Sequence, residues 1–193
     1  MEKKNFILIV GPPAVGKMTI GKALADQLDY VLFHNHHSIE LSLQLFAWGE
    51  PEFKKINEGI RDLVFNTCAE SENIKGIIFT LVMAFELKDD WDYIQNINTV
   101  FKPEKWNFKV IELESHLEVR LKRNKTPFRL AQKASKRNLE KSEENLKSMG
   151  GKYRLNSEKG DPTNQYHWFK INNSELSAEE VAQKAISHFS LKK

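Results

Sequence analysis

The sequence predicts an α/β fold with a mostly parallel sheet, because short apolar runs alternate with longer segments of helical periodicity over 193 residues. The runs suited to buried strands are 6–10, 31–33, 77–83, 108–113 and 168–171. A glycine-rich segment separates the first run from the first helical segment. This length fits a single domain, which we expect to span 1–193.

Four segments carry apolar residues at helical spacing. They are marked by Ile20, Ala23, Leu24 and Leu28; by Phe53, Ile56, Ile60, Leu63 and Val64; by Leu87, Trp91, Ile94 and Phe101; and by Val181, Ala182, Ala185, Ile186 and Phe189. Ser177, followed three residues later by Glu180, predicts a capping box at the start of the last helix. Ligands of such sheets bind beyond the carboxyl ends of the strands, so residues that follow strands are candidate site residues.

The composition excludes little by itself. Twenty-nine Lys and Arg against 26 Asp and Glu give a formal charge of +3, too small an excess to indicate nucleic acid or membrane as a partner. The first residues do not resemble a signal peptide, and no apolar stretch reaches the length of a membrane span. The single cysteine, Cys68, excludes an internal disulfide. We therefore expect a cytoplasmic protein, monomeric or homodimeric, that does not bind membranes.

The clearest motif joins the first strand to the first helix. Its residues match G-x-x-x-x-G-K and are Gly11, Pro12, Pro13, Ala14, Val15, Gly16 and Lys17. Glycines let the backbone approach phosphate, the N–H groups of the loop and helix N-terminus attract anions, and Lys17 adds a cation for the terminal phosphates. The motif predicts binding of a nucleoside triphosphate, ATP in the first place; the alternative is a Gly-Pro turn followed by a surface lysine.

The position after the motif lysine departs from the usual pattern. Met18 stands where Ser or Thr normally ligates magnesium, and the hydroxyl comes one residue later, at Thr19. This arrangement resembles adenylate kinases, whose loop reads G-K-G-T. The resemblance implies that Thr19 contacts phosphate and that Mg²⁺ sits mainly on nucleotide oxygens and water. We predict no protein ligand for a metal.

Three histidines follow the second predicted strand. The segment His34-Asn35-His36-His37-Ser38-Ile39-Glu40 resembles the shikimate kinase pattern D-x-D-x-x-I-E, with His34 and His36 in place of the aspartates and Ile39 and Glu40 matching. His36 is our candidate for accepting the acceptor's proton, with His34 and Glu40 as further acceptor-binding residues. Shikimate itself is not an expected substrate. A zinc site, or loop histidines without a direct role, are the alternatives.

Three more residues are candidates for the acceptor side. Shikimate kinases place an acceptor-binding arginine in an F-R pair of the helix that follows this segment, and Phe53-Lys54 is similar to that pair. Arg61 lies further along the same predicted helix, and Thr80 lies near the end of the third strand run. For Lys54 and Arg61 an exposed helix cation is the alternative.

Positive charge is concentrated between positions 120 and 137. This stretch contains eight cations and no acid: Arg120, Lys122, Arg123, Lys125, Arg129, Lys133, Lys136 and Arg137. One explanation is a lid, about 124–150, whose arginines neutralise the transferring phosphoryl group. We choose Arg129 and Arg137 as catalytic candidates and Arg123 as a nucleotide-binding one. A nucleic-acid-binding strip and a plain charged surface are the alternatives.

Several segments together resemble one group of proteins. GPPAVGKMT from Gly11, FHNH from Phe33, RNKTPFRL from Arg123, SKRNLE from Ser135 and YRLNS from Tyr153 are similar to small bacterial P-loop proteins classed as AAA-family ATPases or shikimate-kinase-like. The wider class includes shikimate, gluconate and nucleoside-monophosphate kinases. It implies a three-layer αβα fold with a five-stranded parallel sheet in the order 2-3-1-4-5, a helical lid, and an adenine site near the loop containing Asn173.

These observations favour an ATP-dependent phosphotransferase that moves the γ-phosphoryl group onto a small hydroxyl-bearing acceptor. Two alternatives belong to other classes. One is a nucleotide-binding regulatory switch without such kinase activity, and the other is a nucleic-acid-directed P-loop protein.

Overall fold

A computed structural model describes residues 3–192 and shows five parallel strands in the order β2-β3-β1-β4-β5. The strands are β1 (Lys4–Val10), β2 (Val31–His34), β3 (Gly76–Thr80), β4 (Trp106–Glu114) and β5 (His167–Asn172). Every pairing between neighbours is parallel. The sheet order implied by the kinase resemblance is therefore confirmed.

Helices connect the strands and cover both faces of the sheet. They are α1 (Lys17–Leu28), α2 (His36–Leu43), α3 (Pro51–Glu70), α4 (Lys88–Val100), α5 (Leu117–Asn124), α6 (Pro127–Gln132), α7 (Leu139–Lys152) and α8 (Ala178–Phe189). Two short 3₁₀ turns, Ala134–Lys136 and Pro162–Gln165, lie between them. Within residues 3–192, no helix is both long and apolar enough to cross a lipid bilayer.

Strand β1 lies at the centre of the sheet, and its side chains 6–10 are fully buried. Residues of a strand point alternately to opposite faces, so β1 contributes to two cores. Phe6, Leu8 and Val10 pack with aromatic residues of α3 and α4, while Ile7 and Ile9 pack with residues of α1 and α8. The fixed position of β1 fixes that of the loop which follows it.

The long connection after α7 is anchored to the sheet by one buried carboxylate. Glu112, on β4, accepts hydrogen bonds from Ser157 N (2.8 Å), Ser157 Oγ (2.6 Å), Asn156 Nδ2 (2.9 Å) and Trp168 Nε1 (2.8 Å), and Lys170 Nζ lies 3.2 Å away. Burial alone would raise the pKa of Glu112, but these donors outweigh it and lower the pKa. The charged carboxylate therefore holds the segment 156–157 against the sheet.

The structure also shows where the sequence-based boundaries differ. The last helix begins with the expected capping box, since Ser177 Oγ accepts from Glu180 N at 3.1 Å and the Glu180 carboxylate accepts from Ser177 N at 2.8 Å. The third strand ends at Thr80 instead of continuing to position 83. Helix α2 was not predicted, because the segment 36–43 was interpreted only as residues following a strand.

Candidate functional site

The glycine-rich loop between β1 and α1, called the phosphate loop below after its sequence motif, has an unusual backbone conformation. Gly11 (φ 137°), Ala14 (φ 61°) and Gly16 (φ 110°) all have positive φ. A Cβ at Gly11 would collide with the Leu113 carbonyl oxygen, so β4 and the loop can approach this closely only with glycine there. The packing of the loop against β4 thus requires glycine at position 11.

Lys17, the first residue of α1, turns back over this loop. Its ammonium donates to the carbonyls of Gly11 (2.5 Å) and Pro12 (2.8 Å), and the side chain is buried. Burial lowers the pKa of Lys17 well below its usual value, and the nearby charges of Lys133, Arg129 and Arg120 lower it further. A bound polyphosphate would raise the pKa of Lys17 again, because it would supply negative charge next to the ammonium.

Asn173 and Arg123 clamp the loop from the other side. Asn173, in the loop after β5, donates through Nδ2 to the Val15 carbonyl at 2.8 Å. The Arg123 guanidinium donates to the same carbonyl (3.0 Å) and to the Asn173 side-chain oxygen (3.2 Å) and carbonyl (2.8 Å). Both predicted nucleotide-binding residues therefore contact the phosphate loop directly, and they join it to α5 and β5.

A cleft of about 450 Å³ opens in front of the loop. Seven of the sequence-predicted side chains line it together with part of the loop itself: Lys17, Met18, Thr19, Thr80, Arg123, Arg129 and Asn173. Lys133 also lines it. The structure thus brings the phosphate loop, the end of β3, the lid and the loop after β5 to one cleft.

The end of β2 lies beside this cleft through Thr80. His34 is the sheet neighbour of Thr80, and the Thr80 hydroxyl accepts from Asn35 N (3.2 Å) and donates to the Asn35 side-chain oxygen (3.2 Å). His34 is buried and stacks on His37 with 3.7 Å between ring centroids. Burial lowers the pKa of His34 to about 3, with help from His37, so this ring is neutral at physiological pH.

His36 begins helix α2 and pairs with Glu40 one turn later, with 2.9 Å between His36 Nδ1 and the carboxylate. Burial lowers the pKa of His36 to about 4, although Glu40 partly offsets the effect. A neutral His36 must donate from Nδ1 to the Glu40 carboxylate, which leaves the lone pair of Nε2 free to accept a proton. Glu40 also accepts from Ser135 N (3.1 Å) and Ser135 Oγ (2.5 Å) of the lid.

The predicted lid residues have different surroundings. Arg129 donates through Nε to Asn124 Oδ1 at 3.1 Å, and Asn124 Oδ1 also accepts from Ser142 Oγ of α7 at 3.0 Å. Arg137 is exposed and donates to the Leu130 carbonyl at 3.2 Å. Of these two arginines, both within the described chain, only Arg129 is among the residues lining the cleft.

The two acceptor-side cations on α3 also differ. Arg61 is buried, donates to Ser38 Oγ at 3.0 Å and lies over the Phe79 ring at 5.4 Å. Lys54 has a side chain that is 75% exposed and pairs with Glu58 one turn away at 3.8 Å. The geometry of Arg61 is that of a fixed internal cation, whereas that of Lys54 is that of a solvated helix residue.

Sequence reasoning missed Asn124, Ser135 and Lys133 as contributors to the site. Asn124 and Ser135 lie in the segments RNKTPFRL and SKRNLE, but neither was assigned a role, and each acquires it through partners 5 to 95 positions away. Lys133 was noted only as one cation of the basic stretch, yet it lines the cleft. Within residues 3–192, the histidines do not belong to any group of three or more His, Cys, Asp or Glu side chains placed to hold a metal ion.

Comparison with known proteins gives matches among structures only. No protein-family model matches the sequence, and no curated protein sequence matches it significantly. A Chloroflexus aurantiacus protein with a provisional kinase assignment is similar over 98% of both chains, with a TM-score of 0.63 and 19% identity.

Two named kinases are similar as well. Shikimate kinase from Acinetobacter baumannii, solved with shikimate, has a TM-score of 0.58 and 19% identity over 97% of this chain and 93% of its own. A gluconokinase from Sinorhizobium meliloti has a TM-score of 0.54 and 11% identity over 97% of this chain and 91% of its own. At these identities the likeness concerns the fold, and the chain has the fold of the shikimate-kinase-like P-loop small-molecule kinases.

Proposed function

We propose that the protein is an ATP-dependent phosphotransferase that transfers the γ-phosphoryl group to the hydroxyl of a small acceptor. The observation that carries this proposal is the cleft itself, in which the buried Lys17 of the phosphate loop lies with Arg129 and Lys133 of the lid. Phosphoryl transfer depends mainly on positioning and on neutralising charge, and both are built into such an arrangement.

The nucleotide would bind with its terminal phosphates on the loop. The N–H groups at the start of α1 and the Lys17 ammonium would hold the β- and γ-phosphates, and Arg123 and Asn173 keep the loop in shape. Arg129, oriented by Asn124, would face the phosphoryl group as its charge shifts during transfer. Arg137 would take part only if the lid brought it inward from its exposed position.

The acceptor would lie on the side of β2 and β3, beside His34, Thr80 and Arg61. His36 is the candidate base: its ring is neutral, and Glu40 fixes the tautomer that exposes a lone pair on Nε2. The proton of the acceptor hydroxyl would pass to Nε2 as the oxygen bonds to the γ-phosphorus and ADP leaves. Lys54 belongs to this proposal only as a cation at the outer surface of α3.

Magnesium would enter with the nucleotide and reduce the charge repulsion among its phosphates. The described residues that line the cleft offer the hydroxyls of Thr19, Thr80, Thr126 and Ser177 but no carboxylate. The protein donor set therefore does not fit a dedicated Mg²⁺ site, which agrees with Met18 in the usual hydroxyl position.

The test is ADP release with Mg²⁺ and ATP across a panel of hydroxyl compounds that includes sugar acids, cyclitols, sugars, nucleosides and antibiotics. Shikimate and gluconate belong in the panel because the similar kinases are named for them. Acceptor-dependent ADP release that is lost in Lys17→Met supports the proposal. ATP binding without turnover on any acceptor would favour a regulatory switch, and salt-sensitive binding of oligonucleotides would favour a nucleic-acid partner.

The role of His36 has its own test on the acceptor found. His36→Asn keeps an N–H donor for Glu40 but has no acceptor nitrogen in the position of Nε2. We expect turnover to fall by about 100-fold or more, while ATP affinity stays within about twofold. Turnover close to that of the unchanged protein would remove His36 from the role of base.

A further inference from the structure

The lid is attached to helix α2 through the carboxylate of Glu40. One Glu40 oxygen lies 2.9 Å from His36 Nδ1 and 2.5 Å from Ser135 Oγ, and the other accepts from Ser135 N at 3.1 Å. Ser135 lies 95 positions further along the chain, in the 3₁₀ turn between α6 and α7. Burial alone would raise the pKa of Glu40, but these donors outweigh it and lower the pKa to about 2, so the carboxylate is charged at neutral pH and its hydrogen bonds are charge-assisted.

Two residues before Ser135, the lid places a lysine in the cleft. Lys133 separates α6 from the 3₁₀ turn, with its N–H on the Arg129 carbonyl (3.0 Å) and its carbonyl accepting from Lys136 N (2.9 Å). Its backbone is thus held on both sides. Its side chain lines the same cleft as Lys17 and Arg129, and its charge acts on Lys17 through space.

The charges around Lys133 are unbalanced. The ionisable groups that face it are Lys17 of α1, His34 of β2, His36 and Glu40 of α2, Arg129 of α6 and Lys136 of the 3₁₀ turn. Only Glu40 is negative, and it is already bonded to His36 and Ser135. Burial, followed by the repulsion from Arg129 and Lys136, lowers the pKa of Lys133 to about 7. Such a cluster of cations is stable with an anion of several charges among them.

We propose that Lys133 binds the terminal phosphates of the nucleotide as a second lysine, and that Glu40 is the positioning residue that holds Lys133 there through Ser135. This inference rests on the proposed function in one respect, since it takes a nucleoside triphosphate as the ligand. It assigns Glu40 to the lid instead of to the acceptor, and it connects the acceptor helix α2 with the phosphate site.

The first experiment is a double-mutant cycle on ATP affinity, measured by isothermal titration calorimetry with Mg²⁺ and a non-hydrolysable analogue as a second ligand. We expect Lys133→Met to weaken binding about tenfold and Glu40→Ala to weaken it severalfold. The double variant should bind no more than about twofold worse than Lys133→Met alone, because Glu40 acts through Lys133. Lys122→Met, an exposed lysine of α5, is the matched control and should bind as the unchanged protein does.

Two further readouts separate positioning from a merely structural role. Hydrogen exchange of the Ser135 amide in nucleotide-free protein should accelerate in Glu40→Ala and remain unchanged in Lys133→Met. Calorimetric titrations at about pH 7.5, in buffers of different ionisation enthalpy, measure the protons taken up on ATP binding. We expect this uptake to be smaller in Lys133→Met than in the unchanged protein. The reason is that bound phosphates raise the pKa of Lys133, which is partly neutral before binding. Ser135→Ala, which leaves α2 untouched, replaces Glu40→Ala if the latter fails to fold.

The possible failures are distinguishable. Absence of ATP binding in the unchanged protein would refute the proposed function. If the unchanged protein binds ATP, full ATP affinity in Lys133→Met would overturn the inference. An equal loss of ATP affinity from Glu40→Ala in the presence and absence of Lys133 would overturn it as well. Unaltered Ser135 exchange in Glu40→Ala would overturn the positioning role.

Discussion

Burial changes the ionisation of Lys17 and His36, two residues for which different roles are proposed. In both, removal from water disfavours the positive form and lowers the pKa. For Lys17 the result is a cation that lacks a counter-charge and so favours a polyphosphate. For His36 the result is a neutral ring with a lone pair, which is the state that a base requires.

The buried histidines give the protein a specific sensitivity to acid. The pKa values of His34 and His36 are lowered from 6.5 to about 3 and about 4, so the unfolded chain binds more protons than the folded one between pH 6.5 and about 4. Stability should therefore fall as the pH is lowered from 6.5 to about 4. This window begins above the range in which carboxylates titrate.

This is measured as the midpoint of thermal unfolding against pH. His36→Asn should show a shallower slope over the same window, because one of the histidines with a lowered pKa is gone. His188→Asn serves as the control, since it replaces a histidine of α8 outside the cleft. An identical slope in His36→Asn and the unchanged protein would contradict the assignment.

At the residue scale, the sequence allowed prediction of those cleft residues that lie in a recognisable motif. Lys17, Thr19, Arg123, Arg129 and Asn173 were chosen from patterns, and the structure places all of them in one cleft. Lys133 could not be distinguished from its seven cationic neighbours, because its importance depends on which side of a short lid helix faces the phosphate loop.

At the scale of elements, buried strands and well-capped helices were predictable, whereas short polar helices were not. Strand β1 and helix α8 have strong apolar patterns and clear end signals. Helix α2 has eight residues, four of them His or Ser, which are weak helix formers, so its periodicity is slight. The run that follows β3 is apolar because Leu81 and Met83 are buried, although the ladder with β1 ends at Thr80.

Glu112 provides a prediction about how elements are joined. Glu112→Gln removes the charge that holds residues 156–157 to β4. It also replaces one acceptor oxygen by an NH₂ group, which faces a donor such as Ser157 N or Asn156 Nδ2. We expect unfolding free energy to fall by about 2–4 kcal/mol at neutral pH.

The difference in unfolding free energy between Glu112→Gln and the unchanged protein should shrink as pH falls below 4.5, the ordinary pKa of a glutamate. The reason is that Glu112, whose pKa is lowered, stabilises the fold only while its carboxylate is charged. Chemical denaturation at several pH values measures it. Glu114→Gln, two residues along the same strand, is the control and should change stability little. A constant difference at all pH values would exclude the charge as the cause.

At the scale of the whole molecule, the cleft is assembled from segments that are far apart in sequence. Lys17, Thr80, Arg129 and Asn173 come from four parts of the chain and meet at one edge of the sheet. The sheet order follows from the class that the motifs resemble, but the closeness of the lid to α2 depends on packing that no local pattern encodes.

Nucleotide binding should therefore stabilise the entire fold. At about 100 times its dissociation constant, a ligand of the native state adds about 2.7 kcal/mol, which corresponds to a rise of about 5–10 °C in the unfolding midpoint for a chain of this size. Calorimetric scans with and without ATP and Mg²⁺ measure the shift. Lys17→Met should show almost none, and an equal shift in that variant would indicate binding elsewhere.

The hydrogen bond from Asn173 to the Val15 carbonyl, 158 positions apart, has a consequence for biosynthesis. The ribosome produces the phosphate loop early, yet one of its clamps arrives only after the edge strand β5 has been translated and has joined β4. Until β5 has been translated, the Val15 carbonyl lacks this hydrogen bond. If the complete loop is needed to bind ATP, binding would occur late in folding and could not guide its first stages.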